Sequence, residues 1–287
     1  MKSQQARVVA IHDLSGFGRC SLSVILPAMS VMGIQVCPVP TAVLSTHTGG
    51  LGDVVFRDLT DYILPALEHY AALSVEFDCI YSGFLGSSAQ IGHCLEFFEQ
   101  YPDAMAVVDP VMGDHGKPYR TYTPELCARM GELVRAADLI TPNLTEAAIL
   151  LGEEYPQAPL SHVMAKSWLV RLSALGPRYV LITGVELADG TVSNLGYDAQ
   201  RGAFWRVACD YVPVAYPGTG DIYASVAVGA MLTGDSLPIA MERATRFLEY
   251  AIKTTYGYGT DPRYGVMLER CLPWLTQQHS LKGYETL

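Results

Sequence analysis

The sequence YPGTGD at Tyr216–Asp221 runs directly into the apolar stretch IYASVAVGA at Ile222–Ala230. The first part predicts a glycine-rich turn, and the second predicts a helix that carries almost no charge. A helix this apolar is normally buried, so we expect its N-terminus to lie deep inside the molecule. Unpaired backbone N–H groups and the positive end of the helix dipole would attract an anion such as phosphate there.

Three residues of this turn are candidates for chemistry. Gly218 and Gly220 have no Cβ atom, which allows a ligand to approach the backbone closely. Asp221 falls in the first helical turn, where the dipole stabilises a carboxylate. An anion site beside a base is what phosphoryl transfer to a hydroxyl needs. The same residues also fit an ordinary turn in which Asp221 caps the helix, so the rest of the chain must decide between the two interpretations.

The composition narrows the class of protein. Of the 287 residues, 50% are hydrophobic and 17% are charged, which predicts a large core and, at this length, one domain over residues 1–287. The net charge of −10 argues against nucleic acid or an anionic membrane as the main partner. The seven scattered cysteines form no C-x-x-C pair, and no signal peptide or apolar run of ~18 residues is found. These features predict a soluble, cytoplasmic protein.

Strand-like apolar runs alternate with stretches of helical spacing, which implies a mainly parallel sheet covered by helices on both faces. Pro38 and Pro40 favour an edge position for the second strand. Residues 13–18 and 42–53 are predicted to be loops. The predicted strands are 7–12, 34–41, 79–82, 105–109, 139–141 and 179–183, with β-rich stretches at 191–197 and 203–211; the predicted helices are 20–32, 59–73, 89–99, one from 124, 144–151, 161–175, 238–253 and a shorter one near 266–276.

Polar residues and glycines are concentrated directly after the predicted strands. In parallel α/β sheets, ligands bind where loops leave the carboxyl ends of the strands, so we expect these residues to share one edge of the sheet. They are Asp13, Thr46–Thr48, Ser82–Phe84, Asp109–Asp114, Thr141–Asn143 and Thr183–Gly184.

Two of these segments are rich in oxygen ligands. Asp109–Asp114 ends a buried strand with two acids, and Thr141–Glu146 follows the next strand with a threonine, an asparagine and a glutamate. Oxygen ligands at neighbouring strand ends suit Mg²⁺, which usually keeps several waters. A solvated turn and a simple capping box at Asn143 and Glu146 are the alternative interpretations.

Several known sequence motifs are absent or incomplete in this chain, which argues against the enzyme classes that they mark. Gly16–Ser21 nearly matches a dinucleotide fingerprint, but its sixth position is serine and no acid for a ribose follows about 20 residues later. The chain contains no P-loop, no histidine pair with metal-binding spacing and no G-x-S-x-G elbow. His47 lies in a loop at the expected ligand edge and is a candidate substrate contact.

The segments Ser45–Gly49, Ser82–Phe84, Asp109–Asp114, Thr141–Glu146 and Gly218–Asp221 together resemble the ribokinase-like small-molecule kinases, and within them the pyridoxal kinases. The first segment favours a pyridoxal kinase over a sugar kinase, whereas the last three are shared with hydroxymethylpyrimidine kinases. The resemblance implies a three-layer α/β/α fold with a central, mostly parallel sheet. It also implies ATP-dependent phosphorylation of the 5′-hydroxymethyl group of pyridoxal, pyridoxine or pyridoxamine by an enzyme that is commonly a homodimer.

The same resemblance implies a role for each matching residue. Asp221 would be the catalytic base, and residues 114–122 would form a flap over the nucleotide phosphates. Mg²⁺ and a monovalent cation such as K⁺ would lie nearby, partly held through water. The implied sets are Gly218, Thr219 and Gly220 for the anion hole; Asp13, Leu44, Thr48, Phe84 and Asp221 for the substrate; Asp114, Tyr122, Asn143, Thr183, Gly184, Gly218 and Thr219 for the nucleotide; and Asp109, Thr141 and Glu146 for the metal.

The sequence departs from the family pattern near the substrate. Many pyridoxal kinases carry Gln-Ser where this chain has His12 and Asp13, and tyrosine where it has Phe84. An acid at residue 13 is compatible with pairing to the ring N1 or 3-hydroxyl, or with a preference for pyridoxine or an aminopyrimidine. A hydroxymethylpyrimidine kinase and a non-catalytic B6-binding protein therefore stay open as alternatives.

Overall fold

The computed structural model describes residues 5–119, 122–210 and 212–287, and ten strands of this part form one sheet. A separate two-stranded hairpin consists of β6 (Gly113–Asp114) and β7 (Lys117–Pro118). The sheet strands are β1 (Arg7–Phe17), β2 (Gln35–Thr46), β3 (Phe56–Asp58), β4 (Cys79–Ser82), β5 (Met105–Val108), β8 (Leu139–Ile140), β9 (Tyr179–Glu186), β10 (Val192–Asp198), β11 (Ala203–Cys209) and β12 (Tyr284–Thr286).

The helices connect these strands. They are α1 (Leu22–Val31), α2 (Thr60–Ala72), α3 (Ser88–Gln100), α4 (Pro124–Ala136), α5 (Leu144–Leu151), α6 (His162–Ser173), α7 (Thr219–Leu232), α8 (Leu237–Tyr258) and α9 (Leu268–Cys271), with 3₁₀ turns at Pro262–Tyr264 and Leu272–Thr276. Among the described helices, none combines the length and the apolar composition that crossing a bilayer requires.

The sheet order is β12-β11-β10-β9-β8-β5-β4-β1-β2-β3. The central strands from β2 to β9 pair in parallel, whereas β3 and the β10–β12 end are antiparallel. One apolar core lies between the sheet and α2 to α6, and a second lies on the other face against α1, α7 and α8. This arrangement confirms the predicted three-layer α/β/α fold.

The buried helix predicted from the YPGTGD stretch is confirmed as α7. Every residue from Asp221 to Ala230 is buried, because α7 packs between the sheet on one side and α1 and α8 on the others. The helix therefore holds its N-terminus at a fixed place beside the carboxyl ends of the parallel strands.

Two predicted loops near the amino terminus are wrong in part. β1 continues through residues 13–17 and β2 through Thr46, because the two strands stay paired beyond an irregularity between His12 and Leu14. Asp13 and Ser15 face inward there as polar residues, so the hydrophobic pattern that marks an ordinary buried strand is missing. The short strand β3 falls just beyond the predicted loop 42–53 and was not predicted.

The predicted edge position of β2 is only partly confirmed, because β3 pairs with its residues 42–44 and is the outermost strand. Pro38 and Pro40 lie in the part of β2 that no described strand pairs with on its outer side. At the other end of the chain, the predicted β-rich stretch 203–211 ends at Cys209, and its last residue, Tyr211, lies outside the described residues. The predicted C-terminal helix is divided into α9 and a 3₁₀ turn.

Candidate active site

A cleft of about 460 Å³ opens at the carboxyl ends of β1, β4, β5, β8 and β9, next to the N-terminus of α7. It brings together every predicted site residue except Tyr122. These residues are Asp13, Leu44, Thr48, Phe84, Asp109, Asp114, Thr141, Asn143, Glu146, Thr183, Gly184, Gly218, Thr219, Gly220 and Asp221.

Asp221 is buried at the base of this cleft. Its Oδ2 accepts a hydrogen bond from the backbone N–H of Ser21 at 2.8 Å and one from the Cys20 thiol at 3.4 Å. Burial raises the pKa of Asp221 from 3.8 to about 6, the charge of Asp13 raises it further, and the two hydrogen bonds oppose the increase. A carboxyl with a pKa near 6 is largely ionised at neutral pH and still binds a proton readily, as a general base must.

The first turn of α7 has the geometry of an anion site. Gly218 is the N-cap residue with φ +78°, and it supplies no side chain to cap the helix. The N–H groups of Thr219, Gly220 and Asp221 come too early in the helix to have a partner within it. The Thr219 hydroxyl donates to the Tyr216 carbonyl oxygen at 3.0 Å, which holds the turn together.

The two glycines of the turn serve different needs. A Cβ on Gly218 would lie 2.1 Å from the carbonyl oxygen of Arg19, so only glycine allows the loop before α1 to pack here. A Cβ on Gly220 would meet no atom within 4 Å, so it faces open space at the turn. Close ligand approach therefore explains Gly220, and protein packing explains Gly218.

Another part of the cleft lining has apolar walls and one acid. Leu44 is 3% exposed and lies beside Ser15 across β1 and β2, and Phe84 follows β4. The Ser15 hydroxyl donates to Asp13 Oδ2 at 3.0 Å. Burial raises the pKa of Asp13, while hydrogen bonds from Ser21 and Ser15 lower it.

A group of acids lines the cleft near β5 and α5. Burial, the charge of Glu146 and the charge of Asp221 raise the pKa of Asp109 well above its usual range. Burial also raises the pKa of Glu146, although the Asn143 and Met112 N–H groups donate to its two oxygens at 2.8 and 3.0 Å. Asn143 and Glu146 form the capping box that was an alternative interpretation of this segment. Glu146 therefore caps α5 and at the same time lies close to the acidic side chains of the cleft.

The donors at this position fit Mg²⁺ with retained water. The buried Thr141 hydroxyl has no hydrogen-bond partner among the described residues. A buried oxygen of this kind is normally satisfied by an ion or by ordered water. No group of three or more histidine, cysteine or acidic side chains among the described residues is close enough to hold a metal by itself, so water and phosphate oxygens would complete the coordination.

The predicted flap is the β6–β7 hairpin, and it is held against α5. The Asn143 side-chain amide donates to the Gly113 carbonyl oxygen at 2.8 Å, and the Gly116 N–H donates to the Thr145 hydroxyl at 2.9 Å. Tyr155 packs against Gly116 from the loop after α5.

The expected position of Tyr122 as the flap tyrosine is wrong for this structure. Tyr122 is 6% exposed, and its hydroxyl accepts a hydrogen bond from the Leu85 N–H at 3.2 Å, within the core and outside the cleft. Tyr119, three residues earlier, lines the cleft instead. Residues 120 and 121 of the predicted flap lie outside the described residues.

Sequence reasoning missed several residues of the site, among them Cys20, Ser21 and Tyr155. Cys20 and Ser21 bind the Asp221 carboxylate, and the only sequence signal for them was the glycine-rich loop that precedes them. Ser21 has φ +51°, a strained value for a serine. Tyr155 follows α5 in a loop with no recognisable motif, so nothing in the sequence pointed to its position.

A three-layer α/β/α fold with an amide-lined helix tip and a buried carboxylate at the carboxyl edge of its sheet matches the ribokinase-like small-molecule kinases. A comparison with family models gives the same class. Residues 26–265 match the model described as phosphomethylpyrimidine kinase. The chain belongs to this family.

Relatives of both substrate types occur in the family. The pyridoxine/pyridoxal/pyridoxamine kinase of Bordetella avium is 30% identical over 266 residues, which cover 86% of this chain and 85% of that protein. A hydroxymethylpyrimidine/phosphomethylpyrimidine kinase of Mycobacterium tuberculosis is 26% identical over 264 residues, which cover 88% of this chain and 90% of that protein.

Solved structures include nearer relatives. A Bacteroides thetaiotaomicron protein provisionally named a phosphomethylpyrimidine kinase, crystallised with pyridoxal, is 42% identical and has a TM-score of 0.94 over 99% of this chain and 100% of that one. The pyridoxal kinase of Lactobacillus plantarum is 33% identical and has a TM-score of 0.86 over 95% of this chain and 97% of that one.

Proposed function

We propose that this protein transfers the γ-phosphoryl group of ATP to the 5′-hydroxymethyl group of vitamin B6 vitamers. The observation that carries the proposal is the place of Asp221, a buried base with a pKa of about 6 at the tip of α7, beside three backbone N–H groups without helical partners. A base and an anion site at one point are the two groups that phosphoryl transfer to an alcohol requires.

In the proposed reaction, Asp221 takes the proton of the substrate hydroxyl as the hydroxyl oxygen forms a bond to the γ-phosphorus. The bond from that phosphorus to the bridging oxygen breaks, and ADP leaves with the electron pair. The N–H groups of Thr219 and Gly220 face the negative charge on the transferred group. The Ser21 N–H holds the Asp221 carboxylate in position.

Asp109, Thr141 and Glu146 would hold Mg²⁺, partly through water, and a monovalent cation such as K⁺ would share this region. When bound, Mg²⁺ supplies positive charge that offsets the charge of the phosphates. Asp114, Asn143, Thr183 and Gly184 would line the nucleotide side of the cleft.

The relatives favour a B6 vitamer over hydroxymethylpyrimidine as the substrate. The Bacteroides relative crystallised with pyridoxal is 42% identical, whereas the mycobacterial hydroxymethylpyrimidine kinase is 26% identical. The apolar walls at Leu44 and Phe84 suit the flat heteroaromatic ring that both substrates have. A storage protein without turnover would not need a base of raised pKa beside an anion site.

A substrate panel tests the proposal. Purified protein with ATP and Mg²⁺ is given pyridoxal, pyridoxine, pyridoxamine or hydroxymethylpyrimidine, and ADP release is followed. We expect turnover with the B6 vitamers to exceed turnover with hydroxymethylpyrimidine. Faster turnover of hydroxymethylpyrimidine would overturn the substrate assignment, and binding of vitamers without ADP release would overturn catalysis.

The Asp221→Asn variant tests the mechanism. Because loss of a positioned base costs ~10²–10⁴-fold in rate, we expect turnover to fall by that factor while ATP binding is largely kept. Asp103→Asn is the matched control, since Asp103 is exposed between α3 and β5, outside the cleft lining. Turnover of Asp221→Asn within about threefold of wild type would remove Asp221 from the mechanism.

We also propose that the protein is a cytoplasmic homodimer. Exposed apolar residues collect at the β3 edge of the sheet, where Leu14 and Val43 are paired neighbours and Val55 and Phe56 follow on. Apolar side chains grouped in this way are typical of an interface with a second copy. The seven cysteines are all free, which suits a reducing compartment.

A further inference from the structure

Asp13 is an acid that forms no ion pair with a lysine or arginine of the described residues. It lies near the end of β1, is 5% exposed and lines the same cleft as Asp221. The Ser15 hydroxyl donates to its Oδ2 at 3.0 Å, which fixes the carboxyl but adds no charge. A buried carboxylate without a cation is costly to keep ionised.

The cleft contains no permanent positive charge to offset this acid. Within the described residues, its lining has five carboxyl groups and neither lysine nor arginine. The Gly49 N–H donates to Nδ1 of His47 at 3.0 Å, so this nitrogen carries no proton. The other ring nitrogen of His47, Nε2, lies 2.6 Å from the Arg263 carbonyl oxygen, so both ring nitrogens are engaged by backbone groups and not by Asp13.

The other histidine of the lining is also engaged. His115 lies on the exposed hairpin, 3.5 Å from the Asp114 carboxylate. Arg19, whose backbone packs against Gly218, directs its guanidinium to Glu269 at 2.9 Å. The substrate is then the remaining source of a cation for Asp13 among the groups that meet in this part of the cleft.

We propose that Asp13 pairs with the ammonium group of an aminomethyl substituent, and that this ion pair makes pyridoxamine the preferred vitamer. The inference rests on the proposed vitamin B6 kinase function and names the substrate of the same site. Pyridoxal carries an aldehyde and pyridoxine a neutral hydroxymethyl at the corresponding ring position, so neither offers Asp13 a positive charge there. Leu44 and Phe84 line the same cleft, and apolar walls beside such a pair would strengthen it.

The test compares kcat/KM for pyridoxamine and pyridoxine, which share the reacting 5′-hydroxymethyl group. Because a charge-assisted hydrogen bond is about twice as strong as a neutral one, we expect wild type to favour pyridoxamine by ~10-fold or more. In Asp13→Asn, this ratio should fall by ~10-fold, chiefly through a higher KM for pyridoxamine. Both substrates use the same base, so any effect of the substitution on Asp221 changes kcat/KM for both alike and leaves their ratio unchanged.

Two further variants keep the test decisive. Asp13→Ser removes the charge with a smaller side chain and replaces Asp13→Asn if that variant does not fold, as judged by thermal unfolding. Ser15→Ala keeps the charge and loses only the hydroxyl that fixes it, so its ratio should stay closer to wild type than that of Asp13→Asn. A wild-type ratio near one, or a ratio that Asp13→Asn leaves unchanged, overturns the inference.

These outcomes differ from failure of the proposed function. If wild type phosphorylates pyridoxal and pyridoxine but shows no preference for pyridoxamine, only the role of Asp13 is wrong. If no vitamer is phosphorylated, or hydroxymethylpyrimidine is the best substrate, the proposed function itself is wrong and the inference falls with it.

Discussion

Burial of the carboxyl group of Asp221, the proposed base, lowers the stability of the folded protein. Burial raises its pKa from 3.8 to about 6, so the folded protein binds this proton more tightly than the unfolded chain does. Between pH 4 and pH 6 the unfolded state releases the proton first, and the free energy of unfolding falls as pH rises. Above pH 6 the full destabilisation is present.

The Asp221→Asn variant should therefore be more stable than wild type at neutral pH. A shift from 3.8 to about 6 corresponds to about 3 kcal/mol at most. Urea unfolding at pH 4, 5, 6 and 7 measures the difference in free energy of unfolding between the variant and wild type. This difference should grow from near zero at pH 4 and level off above pH 6. An advantage that is constant with pH would mean that the carboxylate charge is not its cause.

The same residue shows what the sequence could and could not reveal at this scale. Its place in the first turn of a buried helix followed from a glycine-rich turn before an apolar stretch, whereas its role as a base was an expectation from the family resemblance. The donors that hold it, at Cys20 and Ser21, come from 200 residues earlier in the chain and meet it only through packing. The expected position of Tyr122 at the cleft differs from the structure for a similar reason. Whether this tyrosine faces the cleft or the core depends on contacts with distant segments, such as the Leu85 N–H.

At the scale of elements, the two glycines of the turn before α7 allow protein packing and ligand approach to be tested separately. In Gly218→Ala the new methyl group would meet the Arg19 carbonyl oxygen at 2.1 Å on a backbone with φ +78°. We expect the free energy of unfolding to fall by about 2 kcal/mol or more, because both the contact and the left-handed conformation are unfavourable. Turnover should fall with it, since the Arg19–Ser21 loop also positions Asp221.

Gly220→Ala is the matched partner of this variant. No atom lies within 4 Å of its new methyl group, and alanine favours the helix over glycine by about 1 kcal/mol. Stability should thus be unchanged or slightly higher, while turnover falls because the methyl group occupies the open space beside the anion site. Urea unfolding and ADP release measure the two effects, and full turnover in Gly220→Ala would argue against ligand approach at this position.

The β6–β7 hairpin is the second element that a single substitution can test. Thr145→Val keeps the shape of the side chain but removes the hydroxyl that accepts the Gly116 N–H. Loss of one such bond weakens docking by about 1 kcal/mol, so amide exchange at residues 113–118 should be faster and KM for ATP should rise. Thr276→Val, which loses a hydroxyl bond in the C-terminal 3₁₀ turn, should change neither, and unaltered exchange in Thr145→Val would show that the hairpin does not depend on this contact.

Element boundaries could be predicted wherever the burial pattern was simple. β4 at Cys79–Ser82 and α5 at Leu144–Leu151 have the bounds expected from their apolar residues. The tail of β1 could not be predicted, because Asp13 and Ser15 face the cleft and break the hydrophobic pattern that marks a strand. The same departure that hid this strand from the sequence places an acid in the lining of the cleft.

At the scale of the whole molecule, the fold gathers its polar groups at one edge and leaves an apolar face at another. The strand order places β1 between β2 and β4, so chain segments far apart in sequence end side by side at the cleft. Five carboxyl groups with no lysine or arginine among the described cleft residues make the site complementary to ligands that bring cations with them. A nucleotide with Mg²⁺ and a positively charged vitamer both meet this requirement.

The apolar face at the β3 edge gives the last prediction. Leu14 and Val43 are 36% and 40% exposed and adjacent across β1 and β2, and Val55 is 63% exposed. If this face joins two copies, light scattering after gel filtration should give twice the 31.2 kDa of one chain. Val43→Glu should lower the mass toward one chain, because burying an unpaired carboxylate at an apolar interface is unfavourable.

Val163→Glu is the control for this substitution. Val163 is 80% exposed on α6, where the same change places a carboxylate in water, so this variant should keep the mass of the wild type. A wild-type protein that stays monomeric at micromolar concentration would contradict the dimer. A dimer that persists in Val43→Glu but dissociates in Val163→Glu would show that the interface lies on the α6 face and not at the β3 edge.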